Sequence, residues 1–232
     1  MGAGATTTAE ATPAGPPAPL PDGDAPGAAD FYWRVSDSPG EAARRDPFSA
    51  HVFACILAVS LSEAATRGEP LERALGLGAD ALAELVARWL PGARACVDLS
   101  AEPREASFDD EEEQLRGLLR AHQADASAEA AWLTDMMTRR SLSDTHLWQD
   151  LGLLARDELT RLMLQRYPAL AARNVENMKW KKFFYRQLCA MEGFTLCTAP
   201  SCRECGDFDS CFGEETGESA LARIRRDASR TA

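Results

Sequence analysis

Apolar residues recur at helical spacing along most of the chain, and no stretch shows the sustained alternation that marks a half-buried strand. Residues 47–66 are apolar on nearly every side, which predicts a helix at the centre of the hydrophobic core. Asp46 precedes this helix as a suitable N-cap, and Pro47 suits its first turn. Gly68 follows the pattern and is expected to end the helix.

Further amphipathic stretches with helical periodicity follow the central helix. They cover residues 80–90, 109–119, 127–140, 156–167 and 178–191. Asp144 is expected to cap another short segment, THLWQDLGLL. Proline or glycine separates several of these stretches, and the connections between them are short. The pattern therefore predicts an all-α fold, a compact multi-helix bundle of about six to eight helices.

The last of these predicted helices, residues 178–191, carries two different stripes along its surface. Trp180, Phe184, Leu188 and Met191 form an apolar stripe, and Lys179, Lys182 and Arg186 form a basic one. Cys189 lies one turn before the expected end of the helix at Gly193. We expect the apolar stripe to face the core and the basic stripe to stay accessible.

The two ends of the chain differ in composition from its middle. Residues 1–30 are rich in Ala, Pro, Gly and Thr and cannot bury enough apolar surface to offset chain entropy, so we expect a disordered tail. Residues 31–214 are predicted to form one helical domain. Residues 215–232 are expected to form a short helix or to be disordered.

The net charge of the 232-residue chain is −11, which argues against nucleic-acid binding because that binding depends on Lys and Arg neutralising phosphates. The same charge argues against affinity for an anionic membrane. No apolar run reaches the roughly 18–20 residues that span a bilayer, and the N-terminus lacks the basic and apolar regions of a secretory signal. We therefore expect a cytoplasmic protein whose thiols stay reduced.

Four of the seven cysteines, Cys197, Cys202, Cys205 and Cys211, form the pattern C-x4-C-x2-C-x5-C near the C-terminus. Under reducing conditions such crowding predicts metal ligands instead of disulfides, and soft thiolates select zinc, Cu(I) or iron–sulfur centres. A structural zinc site of four cysteines usually has two C-x2-C pairs about 15–20 residues apart, whereas this loop has one such pair. The uneven spacing favours an iron–sulfur cluster such as a 4Fe–4S cubane, with zinc as the alternative.

Basic residues flank this cysteine-rich loop. They are Lys179, Lys181, Lys182, Arg186 and Arg203. A thiolate-ligated cluster is anionic, and nearby cations stabilise it and tune its potential. We therefore expect Lys179, Lys182, Arg186 and Arg203 to surround the cluster or to form a docking face. An ordinary solvated helix face would produce the same pattern.

Two stretches of the chain resemble the NifQ family, proteins of nitrogen fixation that supply molybdenum for the iron–molybdenum cofactor of nitrogenase. The first is HLWQDLGL, residues 146–153. The second runs from Asn174 to Glu214 and includes MKWKKFFYRQLC and EGFTLCTAPSCRECGDFDSCFGE. The family's cysteine signature falls on all four cysteines of the loop. The resemblance extends over about residues 46–214.

The resemblance implies a non-enzymatic carrier of a molybdenum–iron–sulfur cluster that donates molybdenum for cofactor biosynthesis. It implies two partners, the nitrogenase cofactor-assembly scaffold and the nitrogenase iron protein. Cys197, Cys202, Cys205 and Cys211 would be the metal ligands of such a carrier. Cys189 is a candidate for an additional ligand or a step in transfer, and a core thiol is the alternative. His146 is a candidate for a non-cysteine ligand, and a hydrogen-bonded structural histidine is the alternative.

Two other functions fit parts of the same pattern. A structural zinc module for protein–protein contact would use the same four cysteines. Helical DNA glycosylases carry a 4Fe–4S loop that looks like C-x6-C-x2-C-x5-C, but the first gap here is four residues. The chain also lacks the helix-hairpin-helix glycine turn that these enzymes use on DNA, and its net charge of −11 is unfavourable. We therefore prefer the cluster carrier.

Overall fold

The computed structural model describes residues 27–99, 106–191, 208–223 and 226 of the chain. Within these residues the regular secondary structure is helical throughout and contains no strand, so the predicted all-α fold is confirmed. The helices are α1 (Ala28–Ser36), α2 (Glu41–Arg45), α3 (Pro47–Arg67), α4 (Leu71–Leu75), α5 (Ala79–Arg88), α6 (Asp110–Arg120), α7 (Ala128–Ser141), α8 (Leu147–Asp150), α9 (Arg156–Arg166), α10 (Pro168–Ala171), α11 (Trp180–Met191) and α12 (Phe208–Phe212). A 3₁₀ turn at Pro91–Ala95 lies between α5 and α6.

The central helix α3 has the ends that the sequence predicts. The Asp46 carboxylate accepts a hydrogen bond from the Ser49 backbone N–H at 3.0 Å, and Gly68 ends the helix in the left-handed conformation with φ of 64°. Twelve of its 21 residues are buried, so the prediction of a core helix is confirmed. The expectation that no apolar run is long enough to span a bilayer is wrong for α3, which is the one described helix that meets this criterion by length and hydropathy. However, 67% of its apolar window is buried inside the fold.

A chain of helix contacts leads from α3 to α11 by way of α4, α7 and α6. α1 and α4 pack directly on α3, α6 packs on α7, and α11 packs on α6. The helices α1–α12 are more than the six to eight predicted, although seven of them have nine or more residues. The other five have four or five residues, and a single turn is too short to show a hydrophobic period.

The first and last described segments refine the predicted boundaries. α1 begins at Ala28, before the predicted end of the tail at residue 30, and Phe31 and Val35 on this helix are buried. The rest of the tail predicted over residues 1–30 lies outside the described residues. After α12, residues 220–223 are helical, and Ser219 and Leu221 are buried. Part of the segment predicted as a C-terminal tail, residues 215–232, therefore packs on the body.

Candidate metal site

Cys211 is the one predicted ligand of the four-cysteine run that the structure describes. Cys197, Cys202 and Cys205 lie outside the described residues, and so does Arg203. No group of three or more His, Cys, Asp or Glu side chains within the described residues is arranged to hold a metal ion. The cluster loop and its ligand set therefore stay predictions. What the structure describes is how the segments on either side of residues 192–207 are held.

Cys211 lies against the first residues of α11. The Lys179 backbone N–H donates to the Cys211 carbonyl at 2.8 Å, and the Lys179 ammonium donates to the Asp209 carbonyl at 2.9 Å. Cys211 itself is half-buried and packs against the hydrophobic core. α12 and its cysteine are therefore held at the N-terminal end of α11, and Lys179 brings a positive charge to the segment that carries Cys211.

A tight turn sets the start of α11. Asn177 has φ of 56° and is the one non-glycine residue with positive φ in the described chain, a conformation that asparagine tolerates better than most residues. The Asn174 side chain accepts from the Met178 N–H at 2.8 Å and donates to the Met178 carbonyl at 2.9 Å. Arg156 donates to two oxygens of Asn177 at 3.1 Å and to the Met178 carbonyl at 3.3 Å. The helix therefore begins at Trp180, two residues later than predicted.

A buried ion pair joins α11 to α8. The Lys181 ammonium donates to Asp150 Oδ2 and to the Ser143 carbonyl. The Asp150 side chain is 6% exposed and that of Lys181 is 17% exposed. Thr145 Oγ1 donates to the other carboxylate oxygen of Asp150 at 2.5 Å. Lys181, predicted among the basic residues around the cluster, thus links the two stretches that carry the family resemblance.

His146 lies at the start of α8, where its backbone N–H donates to Gln149 Oε1 at 3.1 Å. The N-cap is therefore His146, and the prediction of Asp144 is wrong because the helix begins two residues later than expected. His146 Nδ1 lies 3.8 Å from Glu215 Oε1, and Glu215 follows Cys211 by four residues. The fold thus brings the predicted histidine beside the segment that follows Cys211.

Glu215 also faces Arg156. Its side chain is 5% exposed, and its Oε2 lies 3.8 Å from Arg156 Nε. Each of these two atoms is buried without a hydrogen bond of its own. Gln149 Nε2 donates to the neighbouring Thr216 carbonyl at 3.2 Å. Arg156 and Glu215 line a cavity of about 460 Å³ between α8, the start of α9 and the segment after α12.

Cys189 lies on α11, toward the end opposite to the one that contacts Cys211 of α12. It is half-buried and follows Trp180 by nine residues, which corresponds to about 14 Å along the axis. Cys211 is held at the opposite end through Lys179. Two thiolates on one metal ion, each about 2.3 Å from it, lie less than about 5 Å apart. In this arrangement Cys189 and Cys211 do not share one metal ion.

The two stripes predicted along α11 are largely present. Trp180, Phe184 and Leu188 are buried, whereas Lys182 and Arg186 are exposed. Met191, predicted on the apolar stripe, is instead 66% exposed. The physical reason is that the last turn of the helix is less covered than the turns before it, with Ala190 exposed as well.

A second group of polar side chains lies where α1, α3 and α9 meet. The Tyr32 hydroxyl is 2.9 Å from His51 Nδ1, and His51 Nε2 is 3.4 Å from Glu158 Oε2. Cys55 Sγ lies 3.7 and 3.6 Å from the two ring nitrogens. Burial raises the pKa of the Cys55 thiol well above its ordinary value. Cys55 is therefore a buried thiol of the hydrophobic core.

A comparison with known protein families matches most of the described chain. Residues 52–213 match the sequence profile of the family described as NifQ. The chain belongs to the NifQ family. This range contains the first resembling stretch, all of the second except its last residue, and all four cysteines of the C-x4-C-x2-C-x5-C run, so the family prediction is confirmed. NifQ membership gives the chain a role as an accessory protein in biosynthesis of the iron–molybdenum cofactor of nitrogenase.

Curated relatives of the NifQ family resemble most of the chain. A Protein NifQ homolog of Sinorhizobium fredii (strain NBRC 101917 / NGR234) is 42% identical over 173 residues, which is 75% of this chain and 75% of the relative. Protein NifQ of Rhodobacter capsulatus is 40% identical over 178 residues, 73% of this chain and 97% of the relative. Protein NifQ of Azotobacter vinelandii is 38% identical over 153 residues, 61% of this chain and 78% of the relative. No solved structure matches the chain.

Sequence reasoning missed Arg156, Glu215 and the pairing of Asp150 with Lys181 near this site. A signal existed for Asp150, which is the one charged residue within 147–155, but Lys181 lies between two other lysines, Lys179 and Lys182. Arg156 and Glu215 carried no such signal. Both lie in polar surroundings in the sequence, and only the fold places them together.

Proposed function

We propose that this NifQ protein carries a molybdenum–iron–sulfur cluster as its cargo and donates molybdenum during biosynthesis of the nitrogenase cofactor. The observation that carries the proposal is the C-x4-C-x2-C-x5-C run of Cys197, Cys202, Cys205 and Cys211 inside the family-matched range. Thiolates are the usual protein ligands of iron in such clusters. In a mixed cubane about three cysteines would hold the irons, and the molybdenum corner would keep exchangeable ligands, which suits a donor.

The charges around Cys211 support this proposal. The Lys179 ammonium contacts the segment that carries Cys211, and Lys182 and Arg186 lie on the exposed side of α11. Arg203 lies within the cysteine run. These cations would compensate the negative charge of a thiolate-ligated cluster. In a chain of net charge −11, they would also offer a local basic face to an acidic partner.

The proposed partners are the nitrogenase cofactor-assembly scaffold and the nitrogenase iron protein, and the proposed location is the cytoplasm. The protein turns over no substrate in this proposal. Cys189, about 14 Å from the start of α11, would take part in transfer instead of ligating the same ion as Cys211. His146, beside Glu215, is the candidate for a non-cysteine ligand.

Anaerobic purification followed by iron, sulfide, molybdenum and zinc counts, together with EPR spectroscopy, tests the proposal. We expect iron, sulfide and molybdenum to be bound to the wild-type chain. A colourless protein with bound zinc and no iron would contradict the carrier and would support a structural zinc module in its place.

Single Cys→Ala variants test the ligand assignment in the same preparations. Cys211→Ala should lose most of the bound iron and molybdenum while keeping its helicity, because Cys211 lies outside the buried core helices. Cys96→Ala is a matched control, since Cys96 is also half-buried but follows the 3₁₀ turn, and it should keep wild-type metal. Cys189→Ala should keep its iron and lose molybdenum transfer. Full metal content in all four loop variants would show that the ligands are wrongly assigned.

A further inference from the structure

We infer that Arg156 is the residue that positions Cys211 for metal binding, and this inference rests on the proposed role of Cys211 as a ligand. Arg156 contacts the chain on both sides of residues 192–207. It reaches the turn before α11 through Asn177 and Met178, and it reaches the segment after α12 through Glu215. One guanidinium therefore ties together the two segments that flank the greater part of the predicted loop.

On the first side, Arg156 stabilises the turn that presents Lys179. Its Nη2 donates to the carbonyl and the side-chain oxygen of Asn177 at 3.1 Å each, and to the Met178 carbonyl at 3.3 Å. The next residue, Lys179, donates its backbone N–H to the Cys211 carbonyl at 2.8 Å. A rigid planar guanidinium suits several acceptors in fixed positions. Arg156 is thus linked to the Cys211 backbone through two adjacent residues.

On the second side, Arg156 supplies the permanent positive charge beside Glu215. The Glu215 side chain is 5% exposed, and a buried carboxylate needs a nearby cation to offset its lost hydration. The other neighbour, His146, is 3.8 Å away and is a cation only when protonated, whereas arginine stays charged. Loss of Arg156 would therefore favour movement of Glu215 toward water, and Glu215 is four residues from Cys211.

If Arg156 only stabilised the fold in general, replacing it would affect Cys211 no more than replacing any other partly buried arginine. Arg166 is the matched control for this alternative. Arg166 lies on the same helix, at its other end, and its side chain is 24% exposed like that of Arg156. It donates to Asp46 Oδ2 at 2.7 Å and to Ser49 Oγ at 2.5 Å, where α3 begins. Comparing the two positions separates an effect on Cys211 from the loss of any partly buried arginine.

The first test measures how readily the Cys211 thiol reacts in the metal-free, reduced chain. Iodoacetamide labelling followed by peptide mass spectrometry gives separate rates for Cys211 and Cys189. Arg156→Gln should raise the Cys211 rate about tenfold, the change expected when one charge-assisted hydrogen bond no longer opposes local opening. The Cys189 rate should stay unchanged. Arg166→Gln should change neither rate, and an equal rise of the Cys211 rate in both variants would overturn the inference.

The second test measures bound cluster in anaerobically purified protein. Arg156→Gln should lower the iron, sulfide and molybdenum per chain several-fold and broaden or weaken the EPR signal, while Arg166→Gln keeps wild-type values. Arg156→Lys should fall between wild type and Arg156→Gln, because an ammonium retains the charge but cannot face both Asn177 and Glu215, as Nη2 and Nε of the guanidinium do. A lysine variant that matches wild type would overturn the role of the guanidinium geometry.

Two features keep the inference separable from the proposed function. If wild-type protein holds no iron or molybdenum, the proposed function fails, yet the labelling rates still report whether Arg156 positions Cys211. If wild-type protein holds the cluster but Arg156→Gln leaves both labelling and cluster content unchanged, the inference alone fails. Should circular dichroism show that Arg156→Gln does not fold, Glu215→Gln carries the test, and an unchanged Cys211 rate in that variant overturns the inference.

Discussion

Replacing Lys181 with methionine removes the positive member of the buried pair that joins α11 to α8. The two side chains are 17% and 6% exposed, so Asp150 cannot turn freely into water when its partner is removed. Breaking a buried ion pair costs about 3–5 kcal/mol because the remaining charge is left uncompensated. Thr145 still donates to Asp150, so we expect Lys181→Met to lower the free energy of unfolding by about 3 kcal/mol, the lower end of that range.

Urea denaturation followed by far-UV circular dichroism measures this change, and a double-mutant cycle assigns it to the pair. Asp150→Asn in the Lys181→Met background should be no less stable than Lys181→Met alone, because an amide leaves no buried charge to compensate. The coupling between the two positions should be about 2 kcal/mol.

Lys182→Met is the matched control for this prediction, since Lys182 is the next residue on α11 and is exposed. Its effect on the free energy of unfolding should stay within about 0.5 kcal/mol. The reasoning would be refuted if Lys181→Met were no more destabilising than Lys182→Met. A coupling energy below about 0.5 kcal/mol would refute it as well.

Two further predictions concern the body of the fold. Gly152→Ala should lower the free energy of unfolding by about 2–3 kcal/mol, because Gly152 has φ of 71° and an added Cβ would lie 2.6 Å from Val59 Cγ2. Gly117→Ala should raise it by about 0.5–1 kcal/mol, because an added Cβ there meets nothing within 4 Å; similar urea midpoints for both variants would contradict this. Burial acts to raise the pKa of Glu63, but the hydrogen bond and charge of Arg140 outweigh it and hold that pKa below its ordinary value of 4.5. The resulting stabilisation is present above about pH 4.5 and is lost as pH falls through the lowered pKa. Glu63→Gln should therefore reduce the decrease of the free energy of unfolding at acid pH. If the pH dependence were unchanged in this variant, other groups would be responsible for the loss of stability in acid.

The central helix shows how far local sequence patterns decide this fold. Asp46, Pro47 and Gly68 each act within one turn of α3, and the apolar character between them leaves burial as the favourable outcome. Prediction failed where the decisive contact was distant in sequence. Met178 belongs to the helical period of α11, but Asn174 and Arg156 bind its backbone groups and delay the helix to Trp180.

The candidate site likewise has one part that the sequence predicts and another that only the structure reveals. The four cysteines were singled out from spacing alone, because several thiols within one short stretch of sequence form a local pattern. The residues that contact the segment around Cys211 form no such local pattern in the sequence. Lys179 precedes Cys211 by 32 residues, and Arg156 precedes Glu215 by 59, so their meeting depends on how α8, α9 and α11 pack.

By itself the sequence determined the helical class, the core helix, the cysteine pattern and the resemblance to the NifQ family, since each is carried by neighbouring residues. The tertiary structure decided that Lys181 pairs with Asp150, that Cys211 of α12 contacts the start of α11 while Cys189 lies near its end, and that Arg156 contacts both flanks of residues 192–207. The physical reason is desolvation. Charged side chains that packing removes from water are stabilised by whichever opposite charges and hydrogen-bond partners the fold brings near them, and sequence distance does not constrain that choice.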